Sequence, residues 1–483
     1  MYSLKNKTVN GLLWSAIDNF ANLAIQFIVG VILARILTPH EFGLIGMLMI
    51  FIAISQSIVN SGFSQALIRK NDCTNTDYST VFYFNLAIGV LFYFVLYFSS
   101  GLISDFFDEP QLSKILKVLS IIIVVESFTV IQRTILTKRV DFKLQAKISF
   151  IATFGSGILA IVMAYNNYGV WSLVALHVGR RFLNSLFLWL WNRWKPLLIF
   201  STQSFKELFG FGSKLLLSGL IDTIYRNIYY IVIGKFFSAE QLGYYTRADE
   251  FKRIPSENLN NIIGRVSFPV LAEIQNEKVR LKSNYQKLIR STMLITFTLM
   301  IGMAAVARPM VLTLIGDKWE PSIIYLQMLS FVGMMYPLHA LNLNMLQVSG
   351  RSDLFLKLEV IKKIIAIPTI IIGIIWGIKI MIVGMMINTL FAYYLNSYWS
   401  GRFIGYSFKE QVLDILPSFG LALAMGTGVF FIGKILPFNN LMVLIIQVIT
   451  GVGFILTFCE ITKFRDYTFI KDLIFEKINQ IKK

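Results

Sequence analysis

Apolar residues fill this chain in blocks of about 20 or more, separated by short polar connections. A block of that length spans the hydrocarbon core of a bilayer as a helix. Backbone groups in lipid must satisfy one another within the segment, so helices are the spanning form this pattern allows. The blocks predict about fourteen transmembrane helices, at 9–36, 41–64, 78–100, 114–133, 146–165, 169–190, 211–236, 244–272, 287–309, 321–347, 357–377, 379–400, 413–433 and 441–461. The connections are too short to fold as separate domains.

The eighth segment is the least apolar. It holds Arg247, Asp249, Glu250, Lys252, Arg253, Glu257 and Arg265, and hydropathy alone rejects it. Parity requires it, because without it the basic connections at 351–363 and 402–409 and the basic tail would all change sides. On a helical wheel Phe251, Ile254, Leu259, Ile262 and Val266 form one stripe, and Arg247, Glu250, Arg253, Glu257, Asn261 and Arg265 fall on the opposite arc. Lys252 lies off that arc. A spanning helix of this kind must turn its polar arc to a water-filled cavity, since charge facing lipid is costly.

Composition agrees with a membrane protein: 55% of residues are hydrophobic and 15% are charged, where a soluble surface needs roughly a quarter. The net charge of +18 would ordinarily raise nucleic-acid binding. Here the Lys and Arg sit between apolar blocks and read instead as an orientation signal. One set of connections holds Lys5 and Lys7; Arg69 and Lys70; Arg133, Lys138, Arg139, Lys143 and Lys147; Arg180, Arg181, Arg193, Lys195, Lys206 and Lys214; the run from Lys278 to Arg290; Arg351 to Lys363; Arg402 and Lys409; and the tail after Lys463. The alternate connections are poor in basic residues, and one carries Asp105, Asp108 and Glu109. The positive-inside rule puts both termini in the cytoplasm. Lys5 and Lys7 precede a stretch bearing Asp18, Asn19 and Asn22 with no small-residue cleavage site, so a retained first helix is expected rather than a signal peptide.

Chemistry-bearing motifs are sparse. Cys73 and Cys459 are isolated, as are His40, His177 and His339, and no HExxH, GxSxG, Walker or Rossmann pattern occurs. No cofactor, metal or enzymatic activity is expected.

The halves match at a shift of 200 residues: VILARILTPHEFGLI at 31–45 falls on IVIGKFFSAEQLGYY at 231–245. Arg35 meets Lys235, Thr38 Ser238, Gly43 Gly243 and Asn60 Asn260. Six helices separate the copies, so both halves enter the membrane in the same direction, as a parallel repeat about an axis along its normal. The domain division follows: 1–200 and 201–400 as six-helix lobes, and 401–483 as helices 13 and 14 with a basic tail. Two polar ladders coincide under the shift, Asp18, Asn22 and Gln26 in helix 1 and Ser218, Asp222 and Arg226 in helix 7. Each lies on one helix face. They are read as lining a cavity, against the plainer reading that they bond helices together. Asp222 and Arg226 are spaced to pair. Asp18, Asp222 and Glu126 are intramembrane carboxylates and candidates for H⁺ or Na⁺ coupling, with structural pairing favoured for Glu126.

ARILTPHEFGLIGM, SGFSQALIRK, IGKFFSAEQLGYYTRADEFKRIP, FPVLAEIQ and LIGDKWEPSIIYLQML resemble the polysaccharide transporter family of the multidrug/oligosaccharidyl-lipid/polysaccharide exporter superfamily. The resemblance covers essentially the whole chain. It implies two six-helix lobes plus two added helices, and a bacterial inner-membrane flippase for undecaprenyl-pyrophosphate-linked glycans. Its partners would be the lipid-linked oligosaccharide, membrane lipids and other polysaccharide-assembly proteins. Such a passage must hydrate a glycan, offer fixed positive charge to the pyrophosphate and leave the polyprenyl tail in lipid. Arginine suits the second task, because its planar fork holds phosphate oxygens in pairs. Arg226, Arg265, Arg247 and Arg253 are the candidates, with Asn22, Gln26 and Asn261 lining the cavity; the alternative for Arg247 and Arg253 is pairing with Asp249, Glu250 or Glu257. The rival functions are a peptidoglycan-precursor flippase, a cation-coupled drug exporter and a membrane glycosyltransferase or polymerase.

Overall fold

The computed structural model describes the backbone of residues 4–60 and 62–482. Those residues form α-helices, one 3₁₀ turn and short connections, with no strand among them. The chain divides by internal packing into two compact units, Met1–Gly243 and Tyr244–Lys483.

The first unit contains α1 (Leu4–Ile36), α2 (Pro39–Asn60), α3 (Phe63–Arg69), α4 (Asn75–Phe107), α5 (Gln111–Leu119), α6 (Ile121–Lys138), α7 (Phe142–Tyr165), α8 (Val170–Asn192) and α9 (Thr202–Phe236). Polar residues start these helices by satisfying the orphan amides of the first turn. Thr74 and Asp77 bond reciprocally at the start of α4, and Asp141 and Ser201 cap α7 and α9. Thr38 and Glu41 bond each other in the same reciprocal way at the start of α2. α1 packs on α7 and α7 on α8, while α2 meets α4, α6, α8 and α9. Phe63 and Leu67 of α3, Phe82 of α4, Ile131 of α6 and Leu208 of α9 make one buried cluster, edged by Phe84, Phe205, Trp189 and Trp194.

α10 (Ala239–Glu273) begins in the first unit and continues in the second. The second unit then runs through α11 (Lys278–Ile315), α12 (Ser322–Gly333), α13 (Tyr336–Val348), α14 (Ser352–Trp376), α15 (Ile378–Ile404), α16 (Phe408–Ile435), α17 (Asn440–Ile461) and α18 (Arg465–Lys482). α11 is its axis, packed against α12, α16, α17 and α18. Tyr285, Met293, Phe297 and Met300 of α11 are buried with Leu338, Leu341, Tyr393 and Tyr406.

Among the described residues, ten helices or near-continuous helix pairs are long and apolar enough to cross a membrane. Their outer faces carry large apolar side chains in the open, such as Phe98, Leu102 and Ile435. That arrangement is stable only where the solvent is itself apolar. The four remaining expected spans fall on α8, α9, α10 and α14, which are helical but more polar than that criterion allows. The fourth and tenth spans are each interrupted, at Ser120 and at Met334–Met335, without reversing direction. Residues 465–482, expected as a basic tail, form a helix docked on the second unit.

Candidate functional site

The polar ladder of α1 divides between two roles. Asn22 is buried and committed. Its amide donates to the Asp18 backbone oxygen at 2.8 Å, and its carbonyl oxygen accepts from the Thr153 hydroxyl of α7 at 2.6 Å. Asn22 therefore ties α1 to α7. Gln26 is exposed and donates to the Asn22 backbone oxygen at 3.1 Å.

Asp18 instead lines a polar cavity of about 300 Å³ in the first unit, together with Arg133, Gln145, Ser149, Arg180, Arg181 and Asn184. Its walls come from α1, α6, α7 and α8. The arginines are held in three ways. Arg133 donates to the Asn184 side-chain oxygen at 3.1 Å. Arg181 pairs with buried Glu126 of α6 at 3.0 Å. Arg180 has no carboxylate within ion-pair distance among the described residues, and Asp18 lines the same cavity. Three guanidiniums and one acid face this cavity, so it favours an anion.

α8 has 23 residues, about 34 Å at 1.5 Å per residue. Arg180 and Arg181 stand near its midpoint. The charge alternation counts both arginines with a basic connection, while the span expected at 169–190 contains them; the structure places both in the middle of α8. The signal was present in the sequence as two adjacent arginines within WSLVALHVGRRFLNSLFLWLW. An intramembrane pair of this kind turns to protein or water because lipid cannot solvate it.

Glu126 thus stands in an ion pair with Arg181. Asp222 and Arg226 of α9 also pair, at 2.8 Å, with side chains 48% and 68% exposed. The Ser218 side chain lies outside the described residues, as do the side chains of Asn261 and Arg265 on α10.

The rest of α10 departs from the helical-wheel reading. Arg247 is buried and pairs with Glu250 at 2.7 Å. Arg253 is exposed and stands 3.9 Å from Glu257. Internal pairing, the weighed alternative for both, is what their neighbours provide. Lys252, off the polar arc, is buried in the second unit. Its ammonium meets Asp249 at 2.6 Å and the Tyr336 hydroxyl at 3.5 Å. Its methylene stem packs where a side chain on Gly333 would stand, 2.8 Å from a Cβ there. Among the described residues no group of three metal-ligating side chains occurs.

The chain is an all-helical membrane protein of two units, the first of which holds an arginine-lined cavity. The comparisons narrow the class. Residues 32–324 match the family described as polysaccharide biosynthesis protein, and the chain belongs to that family. It is 27% identical over 432 residues to the lipopolysaccharide biosynthesis protein WzxC of Escherichia coli, covering 87% of this chain and 86% of the relative. It is 28% identical over 360 residues to the teichuronic acid biosynthesis protein TuaB of Bacillus subtilis, covering 73% and 74%. The succinoglycan biosynthesis transport protein ExoT of Rhizobium meliloti is 25% identical over 63% of this chain and 62% of its own. In fold the chain is similar to the lipid II flippase MurJ in an inward closed conformation, with a TM-score of 0.78 at 16% identity over 96% of this chain and all of that one. An inward-facing multidrug resistance transporter of the MATE family gives 0.64 at 14% identity, over 82% and 98%.

Proposed function

We propose that this chain is a flippase that moves a polyprenyl-pyrophosphate-linked oligosaccharide across the bacterial inner membrane by alternating access, for surface polysaccharide assembly. The observation that carries the reading is the cavity at the middle of α8, where Arg180 has no ion-pair partner among the described residues and stands beside Arg133 and Arg181. A pyrophosphate crossing lipid needs fixed positive charge where water is scarce, and a guanidinium supplies it without a proton to lose. The printed names of WzxC, TuaB and ExoT, each a protein of surface-glycan biosynthesis or its transport, support the substrate class.

In this reading residues 1–200 and 201–400 are the two repeats, both termini are cytoplasmic, and the chain needs no enzymatic step of its own. Asp18, at the cavity wall, is the carboxylate best placed to exchange H⁺ or Na⁺ as an anion enters. Arg226, Arg265 and Arg253 remain contacts for the pyrophosphate in other stages of the cycle. Arg247, Asn22 and Glu126 serve packing.

Export measured in cells tests this. Arg180→Ala, at matched protein levels in the membrane, should abolish surface glycan and leave the lipid-linked oligosaccharide in the cytoplasmic leaflet. Arg180→Lys should restore part of it. Full export by Arg180→Ala would remove this cavity from the transport route.

A further inference from the structure

A second basic cleft lies in the second unit, where the start of α18 meets α11. We propose that it binds the phosphate of an anionic phospholipid headgroup. The inference needs the chain to span a membrane but does not depend on the flippase reading.

The cleft has a volume of about 420 Å³ and opens between Lys287 and Arg290 on α11 and Lys463 and Arg465 at the α17–α18 junction. Arg290 is already engaged: it meets Asp466 at 3.3 Å and Asp414 at 3.5 Å. Lys287, Lys463 and Arg465 have no carboxylate within ion-pair distance among the described residues. Asp472 is the one acid of the lining outside these pairs. Three free cations against one acid leave an excess of two positive charges, which favours a phosphate monoanion.

The wall that carries these cations is fixed. Tyr467 of α18 donates to Glu460 of α17 at 2.9 Å, and Lys471 pairs with the same carboxylate. Tyr467 and Ile470 also pack on the cluster of Leu294, Leu421 and Cys459. A cation cluster held by a docked helix keeps its spacing, so little order is lost on binding.

Position decides in favour of a lipid over a soluble anion. α17 is an apolar span that ends at Ile461, two residues before Lys463. Phe458 and Ile461 are exposed at that end of α17, and Phe475 is exposed on α18. Phe469 forms part of the cleft lining, with the Lys287 ammonium 5.8 Å from its ring. Cations that directly follow a span stand at headgroup level. A phosphate in the cleft would leave its acyl chains beside the apolar end of α17.

Native mass spectrometry of the full chain released from nanodiscs provides the test, with phosphatidylglycerol, phosphatidylcholine and inorganic phosphate as probes. The wild-type protein should retain phosphatidylglycerol at least fivefold over phosphatidylcholine. The double variant Lys463→Asn, Arg465→Gln should lose most of that preference. Asparagine suits position 463, whose φ of 48° is left-handed. Asp472→Asn should strengthen retention, and Lys287→Gln should weaken it without touching the α17–α18 junction. Equal retention by wild type and variants overturns the proposal. Displacement of the lipid by millimolar inorganic phosphate also overturns it and makes the cleft a site for soluble anions.

Discussion

Gly43 of α2 lies against the backbone of Ala239 at the start of α10, so close that a Cβ on Gly43 would stand 1.7 Å from the Ala239 carbonyl oxygen. The reciprocal contact joins Gly243 to Pro39, where a Cβ would stand 1.9 Å from the oxygen. Adding 200 to 39 and 43 gives 239 and 243, so the shift that relates the repeats exchanges the two contacts. The starts of α2 and α10 therefore meet as symmetric partners, each carbonyl seated on the other's glycine. Only glycine permits backbones to approach so closely.

Neither glycine has a left-handed backbone, so alanine would suit each helix by propensity. Gly43→Ala and Gly243→Ala should still abolish export, because the added methyl cannot share space with a carbonyl. The variants should reach the membrane normally but fail to close at this crossing. A single cysteine at position 239, with Cys73 and Cys459 replaced by Ser, would react faster with a membrane-impermeant maleimide in either variant. Normal export with unchanged labelling would show that the crossing takes no part in transport.

The Glu126–Arg181 pair gives a second prediction. The Glu126 side chain is 7% exposed, and Arg181 is 37% exposed. Glu126→Gln leaves a partly buried guanidinium without its counter-charge, at a cost of about 1–3 kcal/mol. The melting temperature of the purified protein should fall, and Arg181→Gln in the same background should restore part of the loss. Additive losses in the double variant would mean that the two residues do not act as a pair.

Much of the architecture was legible because hydropathy and period are properties of a single helix. All fourteen expected segments coincide with helices, and the 200-residue repeat reappears as the reciprocal contact of Gly43 and Gly243. Partners were not legible, because they come from other helices. Nothing in the spacing of Asp18, Asn22 and Gln26 says that Asn22 meets Thr153 while Asp18 faces a cavity. A wheel drawn for α10 alone set Lys252 off the polar arc, yet Gly333, eighty-one positions later, makes room for its stem. The cavity beside Arg180 was not legible for another reason: counting charges by connection says nothing of which helix faces bring Arg133, Arg180 and Arg181 together.

Asp466 gives a prediction for pH. It lies on α18, outside the spanning segments, and is buried beside Arg290. Burial raises its pKa above the usual carboxylate value and outweighs the attraction of Arg290. A raised value means the docked state binds the proton more tightly than the released state. The resulting stabilisation is complete below the ordinary Asp range and is lost as pH rises through the raised pKa. A spin label at position 475 should therefore become less mobile as pH is lowered from 7 towards 4. Asp466→Asn should flatten that response; a variant that keeps the full pH response would assign it to another group.

The last prediction concerns how charge is handed along the route. Arg226 is exposed, and its partner Asp222 is half-exposed. A surface pair of this kind contributes only about 0–1 kcal/mol. Asp222 can therefore hold Arg226 in place without preventing it from turning to an arriving phosphate. Arg265 stands on the neighbouring helix in sequence, α10, about three to five turns from the paired group at 247–253. We expect Arg226 and Arg265 to meet the pyrophosphate in turn, at different depths, with each contact contributing on the order of 1.5–3 kcal/mol. Arg226→Ala and Arg265→Ala should each lower export by about tenfold or more at matched protein levels. Lysine should rescue where charge alone matters and fail where the phosphate is held by the planar fork. Asp222→Asn separates this role from packing: it frees Arg226 and should leave export intact or faster, whereas a structural pair would lose protein from the membrane. Normal export by both alanine variants would leave the cavity around Arg180 as the sole handle on the pyrophosphate.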